Sequence, residues 1–412
     1  MSLEDFSDDL LKFYYKKLFP CDLFCKWLTY GSEPLARREF SFTLAGDIYL
    51  RYQSFESSID LKKELINLCP HKIDIGAVYP TAPKKHRAVL PSSFKQSDSA
   101  TTAVCDRCWP LAQSAILCID RALREDFGFE HLLWVYSGRR GVHCWVCDAA
   151  ARRLDPSERT AIVEYLTLTR GGNARKPALT AGGRHDNKGA SFIEPLLHPS
   201  VDAAYNILLP RFNSYCTAKQ GQNLFGVPSR LKKLLTFLPD DLSATRDPLA
   251  QEWCENPSDG VEEVSLKRWN TLRTFLKESK RVNVAKEIVL NYCYPRLDVN
   301  VSTGLNHLLK SPFCVHPKTG HVCIPIDPNH ADSFFPSQVP RLNQLVEELG
   351  TRTDEPDAVK DTTDRHLLNY KKTSLKASVE FFARFVERLT ASQTALDKNS
   401  ANESNHQSVT NF

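Results

Sequence analysis

The sequence predicts a mixed α/β (α+β) protein, and three observations carry that prediction. Short runs of alternating apolar and polar residues, the period of strands, fall toward both ends of the chain. Between them, from about Ile193 to Val289, apolar residues recur at helical spacing. The connections carry the Gly, Pro, Ser and Thr that break periodic structure.

In chain order, Leu10, Leu11, Phe13, Tyr14 and Leu18 place a helix within Asp8 to Leu28, interrupted at Pro20. Ile48, Leu50 and Tyr52 alternate with Tyr49, Arg51 and Gln53, which predicts a half-buried strand. A helix over Asp60 to Leu68 and a strand over Lys72 to Tyr79 follow. Pro91 to Val104 has no period and reads as a loop. Pro110 to Phe127 is helical, with Gly128 just past its end. Leu133–Tyr136 and Val142–Cys147 are two strands around Ser137-Gly138-Arg139-Arg140-Gly141. Gly171 to Gly189, basic and glycine-rich, reads as a linker. Strands are expected again at Pro295–Val301 and Val322–Ile326. A last helix is expected from about Ser374 to Leu389, followed by a disordered tail. The expected division is 1–190, a helical insertion at 191–290, 291–345, and an acidic linker, helix and tail at 346–412.

At 412 residues, with 42% hydrophobic and 25% charged residues, the chain has the composition of a globular protein of two or three domains. A net charge of +4 is too small to establish a nucleic-acid partner, so that argument rests on local clusters. No run is long and apolar enough to span a membrane, and the acidic start does not resemble an export signal. Thirteen cysteines in such a chain read as reduced thiols or metal ligands, in cytosol or nucleus.

The sharpest local feature is Tyr136-Ser137-Gly138-Arg139-Arg140-Gly141-Val142-His143. Two glycines permit a tight turn, two guanidiniums match phosphate oxygens, and free amides add donors. The plainer reading is a solvent-exposed hairpin whose arginines keep it soluble. Lys72 and Asp74 share one strand face and, with Glu39 and Arg51, form a charge-rich wall; taken singly, each is an ordinary surface charge. Asp298 is expected as an inward-facing carboxylate at a strand centre, where it needs a cation. Beyond it lie His307, Lys310 and His316. Asp126-Phe127-Gly128 spells a kinase triplet, but it ends a helix and no kinase glycine loop or catalytic loop accompanies it.

Together these runs resemble the small, catalytic subunit of eukaryotic DNA primases. The resemblance rests on 38–42, 48–55, 72–79, 134–145, 295–302 and 306–320, in the family's order. It implies a primase-type catalytic core with an inserted helical subdomain, nuclear and active in DNA replication. It also implies template-directed synthesis of RNA primers on single-stranded DNA, with a large primase subunit and a replicative DNA polymerase as partners. On this resemblance Ser137, Arg139, Arg140 and His143 grip the triphosphate of a ribonucleotide. Glu39, Tyr49, Arg51, Lys72, Asp74, Lys310 and His316 are further nucleotide contacts, and Asp298 is a ligand for magnesium or manganese. Cys105 and Cys108 match the last two of four zinc cysteines.

The chain departs from the family at one place. Residues 91–104 contain no Asp-x-Asp pair and no further cysteine, and their one acid, Asp98, stands in a serine-rich stretch. Two-metal phosphoryl transfer requires several carboxylates, whereas nucleotide binding does not. Cys144 and Cys147, three apart on a strand, face opposite ways and do not replace the absent pair. The alternatives are therefore a catalytically silent nucleotide-binding or assembly subunit, and an aberrant product of a primase gene.

Overall fold

The computed structural model describes residues 6–85, 106, 108–168, 197–216, 221–256, 262–350 and 369–409, the last ten of these as backbone only. The chain divides into two compact units: Met1–Val104 with Phe129–Arg159 and Val299–Phe412, and Cys105–Gly128 with Thr160–Asp298.

The first unit opens with α1 (Asp8–Lys17) and α2 (Cys21–Leu28). Ser7 caps α1 by accepting the Leu10 amide, Asp8 and Asp9 lie in its first turn and Lys16 and Lys17 in its last, all matched to the helix dipole. Pro20 falls between the two helices, where its missing amide proton costs nothing. Tyr14, Tyr15, Phe19, Phe24 and Trp27 pack edge to face along the buried side. The first sheet is antiparallel in the order β2-β1-β3-β6: β1 (Arg38–Thr43), β2 (Tyr49–Gln53), β3 (Lys72–Val78) and β6 (Leu309–Lys310). Central β1 is buried throughout, so Glu39 and Ser41 lie inside. The second sheet is β5-β4-β7, with β4 (Leu132–Tyr136), β5 (Val142–Val146) and β7 (Pro325–Ile326). Around the sheets lie α3 (Ser58–Leu68), α5 (Ala149–Arg153), α12 (Val299–Thr303), α13 (Leu342–Gly350) and the long α14 (Lys376–Val409). Phe382 of α14 meets the rings of Trp27 and Phe313 at 5.8 and 5.2 Å.

The second unit is helical among its described residues. Here α4 (Pro110–Arg121) continues into a π-helical turn, Ala122–Asp126, closed by Gly128 at φ +71°. With it are α7 (Pro199–Tyr215), α8 (Pro228–Leu235), α9 (Ser243–Glu255), α10 (Glu262–Glu278) and α11 (Val282–Cys293), while α6 (Pro156–Leu166) runs across the division of the chain. Phe212, Phe225, Trp253 and Trp269 form its aromatic core, the Phe212–Trp269 centroids lying 4.8 Å apart.

Three expectations need correction. Pro295–Val301 is not a strand. Pro295 to Asp298 is irregular, α12 follows, and Asp298 is exposed rather than inward-facing. Val299 is 43% exposed, so the alternating valines there cover no core; β-branched alternation marks a strand only on a half-buried pleat. The strand expected from Ile48 begins at Tyr49 and leaves Ile48 57% exposed, because a turn with positive φ at Gly46 and Asp47 precedes it, and Tyr52 at φ +59° breaks its alternation. The disordered tail is also wrong as far as Val409. The apolar stripe ends at Leu389, but the helix runs on to Val409 through a polar stretch that buries no large side chain among the described residues. The loop at 91–104 and the linker at 171–189 lie outside the described residues, as does Cys105.

Candidate nucleotide-binding site

The turn between β4 and β5 is fixed by its own residues. Ser137 donates its amide to Gly141 O at 2.9 Å, and the Gly141 amide donates to Ser137 Oγ at 3.0 Å. Gly138 sits at φ +83°, and a Cβ there would lie 2.6 Å from His316 Cβ and 3.0 Å from Cys323 Sγ. Only glycine fits that approach, and it brings the turn onto His316. Arg139 is half-buried and Arg140 exposed.

The first sheet supplies the opposite side. Lys310 of β6 pairs with Asp74 of β3, and Lys72 lies two residues before Asp74 on the same face. These charges act on one another. Burial raises the pKa of Asp74, opposed by Lys310 and Lys72. Burial, then Lys310, Arg139 and Lys72, pulls His316 down to about 3, and burial with Lys310 lowers His143 to about 4. Both imidazoles are therefore neutral at physiological pH. His143 Nδ1 is buried without a hydrogen-bond partner.

Beside this cluster, fully buried Glu39 takes Arg51 Nε at 3.0 Å and the Tyr79 hydroxyl at 2.9 Å. Burial, then the bond to Glu39, pushes Tyr79 up to about 12. Arg51 thus reaches a fully buried partner from a half-buried strand position. Tyr49, 41% exposed, feels Asp74, Arg51 and Glu39. The structure brings together Lys72, Asp74, Arg139, His143, Lys310 and His316, with Glu39, Tyr49 and Arg51 adjoining and Ser137 and Arg140 in the same turn.

Asp298 belongs to the second unit and is exposed. Among the described residues no group of three or more His, Cys, Asp or Glu is placed to hold a metal ion. The carboxylate nearest the cations, Asp74, is already faced by two lysines, so these residues do not fit a two-magnesium or two-manganese centre. Of the zinc cysteines, Cys105 lies outside the described residues. Cys108 is exposed, Cys144 is half-buried, and Cys147 is buried with its sulfur accepting the Trp27 indole N–H at 3.5 Å. Burial pushes Cys147 up to about 12.

Sequence reasoning missed the supports of the turn. Thr319 Oγ1 donates to Gly138 O at 2.6 Å, and Tyr136 Oη donates to Arg139 O at 3.3 Å. Arg341 Nε donates to His321 Nε2 at 3.1 Å, and His321 Nδ1 lies 3.5 Å from Tyr136 Oη. The only signal for Thr319 was its place three residues after His316.

A mixed α/β core that gathers Lys72, Lys310, Arg139 and two neutral imidazoles around a glycine-bearing turn is a site suited to phosphate oxygens. Comparison with known proteins is more specific. The family model for the DNA primase small subunit matches residues 94–328. The DNA primase small subunit of Drosophila melanogaster is 38% identical over 93% of this chain and 92% of its own length. Those of Schizosaccharomyces pombe and Caenorhabditis elegans are each 35% identical, over 88% and 91% of this chain and 82% and 96% of theirs. The chain belongs to the DNA primase small subunit family.

Proposed function

We propose that this chain binds a ribonucleoside triphosphate at the β4–β5 turn, as the small subunit of a primase that copies single-stranded DNA into short RNA primers during replication. The observation that carries this reading is the convergence of Lys72, Lys310 and Arg139 on His316, where Asp74 is the acid that faces the two lysines among the described residues. Arginine forks bind phosphate oxygens in pairs, and a neutral His143 carries one ring N–H donor. Magnesium or manganese, when bound, would neutralise charge on the reacting phosphates. What this chain's own side chains contribute is the gripping of the triphosphate. The name of the relatives, DNA primase small subunit, supports a large primase subunit as partner; a replicative polymerase beside it and a place in the nucleus are part of the same proposal.

The test is equilibrium binding of ATP and GTP to the purified chain, alongside primer synthesis on single-stranded DNA with the large subunit present. Binding that Arg139→Ala and Lys310→Ala each weaken about tenfold, the scale of a charge-assisted hydrogen bond, supports the site. Unchanged binding in both variants would refute it. Binding without synthesis would identify a silent nucleotide-holding subunit. The absence of an Asp-x-Asp pair from 91–104 favours that second reading.

A further inference from the structure

We propose that Thr319 is a positioning residue that orients the peptides of the β4–β5 turn, so that successive backbone amides face the triphosphate in register with His316. This rests on the reading of the turn as a phosphate site.

Thr319 lies in a second tight turn. His316 donates its amide to His321 O at 2.9 Å, and the amides of Thr319 and Gly320 both donate to His316 O, at 3.2 and 2.9 Å. The Lys318 amide donates to His316 Nδ1 at 3.2 Å, which fixes the imidazole relative to this turn. Thr319 Oγ1 accepts the His321 amide at 3.3 Å and gives its single proton to Gly138 O at 2.6 Å. One hydroxyl therefore ties the turn that carries His316 to the turn that carries Arg139 and Arg140.

The consequence follows from peptide geometry. In a trans peptide the N–H points opposite to the preceding C=O. Drawing the Gly138 carbonyl onto Thr319 aims the Arg139 amide the other way. Drawing the Arg139 carbonyl onto the Tyr136 hydroxyl does the same for the Arg140 amide. Two consecutive amides aimed to one side form an anion-binding concavity. The same two bonds take the carbonyl oxygens, which would repel phosphate, away from it. His321 supports both anchors, through its amide to Thr319 and its ring beside Tyr136. Arg341 on its far nitrogen holds that ring in place. Because Thr319 sets the spacing between His316 and the arginine turn, its loss falls on ligands long enough to span both.

The test compares Thr319→Val, which keeps the shape and loses the hydroxyl, with Thr319→Ser, which keeps the hydroxyl, in the full chain. Dissociation constants are measured for ATP and AMP, with circular dichroism on each variant. The expected result is about tenfold weaker ATP binding for Thr319→Val, the scale of one hydrogen bond, with AMP binding unchanged and ATP binding restored in Thr319→Ser. Equal losses for ATP and AMP, a serine variant as weak as the valine one, or an unfolded valine variant would each reduce Thr319 to a packing residue and overturn the proposal. Native-like ATP binding by Thr319→Val would overturn it directly. A native chain that binds no ATP would instead overturn the reading of the site, and the role of Thr319 with it.

Discussion

Gly138 and Glu39 show how single residues set this site. Gly138 occupies φ +83° with no room for a Cβ against His316 and Cys323. Gly138→Ala therefore forces the turn away from His316, and ATP affinity is expected to fall at least about tenfold, from backbone strain of ~1–3 kcal/mol. Titration of the variant against the native chain measures this. Glu39 is a different case. It is fully buried and holds both Arg51 and Tyr79, so Glu39→Ala leaves a partly buried guanidinium and a phenol without their partner. The expected loss is about 3 kcal/mol of unfolding free energy, read from urea denaturation, and no change in the urea midpoint would contradict it. The sequence named both residues but not their reasons. Glycine in a turn is visible in a string of letters; the His316 contact across 178 positions of chain is not. The Glu39–Arg51 pair was drawn as a wall of surface charges because alternation alone does not show that β1 is covered on both faces.

Elements with long periodic patterns were legible: α1, α2, α3, α4, β3, β4 and β5 fall where apolar spacing and breakers put them. Elements that depend on distant chain were not. The valines near Asp298 have strand character but no neighbour to pair with, and they form α12. The end of α14 escaped because the sequence shows where an apolar stripe stops, not where a helix stops. That stripe, Val379, Phe382, Phe385, Val386 and Leu389, is the part of α14 that buries side chains. The candidate site was read mainly by resemblance; the residues that brace its turn, Thr319 and Tyr136, make their bonds through backbone carbonyls that no motif records. An element-scale prediction follows from α14. Truncation after Lys398 removes only helix beyond the buried stripe, and the unfolding free energy should stay within about 0.5 kcal/mol of the native value. Truncation after Val379, which removes Phe382 and Phe385, should prevent folding of the first unit. Far-UV circular dichroism and urea titration separate the two outcomes.

At the scale of the whole molecule the two units differ in kind, one built on two antiparallel sheets and the other helical among its described residues. Both contain buried titratable groups that set a common pH dependence. On the acid side stand three histidines of the first unit. Burial and Lys310 lower His143 to about 4; burial, Lys310, Arg139 and Lys72 lower His316 to about 3; burial and Arg341 lower His321 to about 4. Unfolded, each titrates near 6.5, so between about pH 6.5 and 4 the unfolded chain binds protons that the folded chain does not. Stability must then rise with pH across that window and be lost as acid is added. The slope is at most about 1.4 kcal/mol per pH unit for each histidine. Asp74, whose pKa burial raises, acts in the opposite sense just above the ordinary carboxyl range and offsets part of this slope. On the alkaline side burial holds Cys118, Cys147 and Cys293 at about 12, well above an unfolded thiol. Above about pH 8.5 the unfolded chain loses protons that the folded chain keeps, and stability falls as pH rises. The expected urea midpoint is therefore a dome, highest between about pH 6.5 and 8.5. The acid limb should be shallower in His143→Gln, which removes one of its protons. A midpoint that stays flat from pH 7 to 5 would mean that these imidazoles are solvated in the folded chain, and the buried, neutral His143 of the proposed phosphate site would not survive that result.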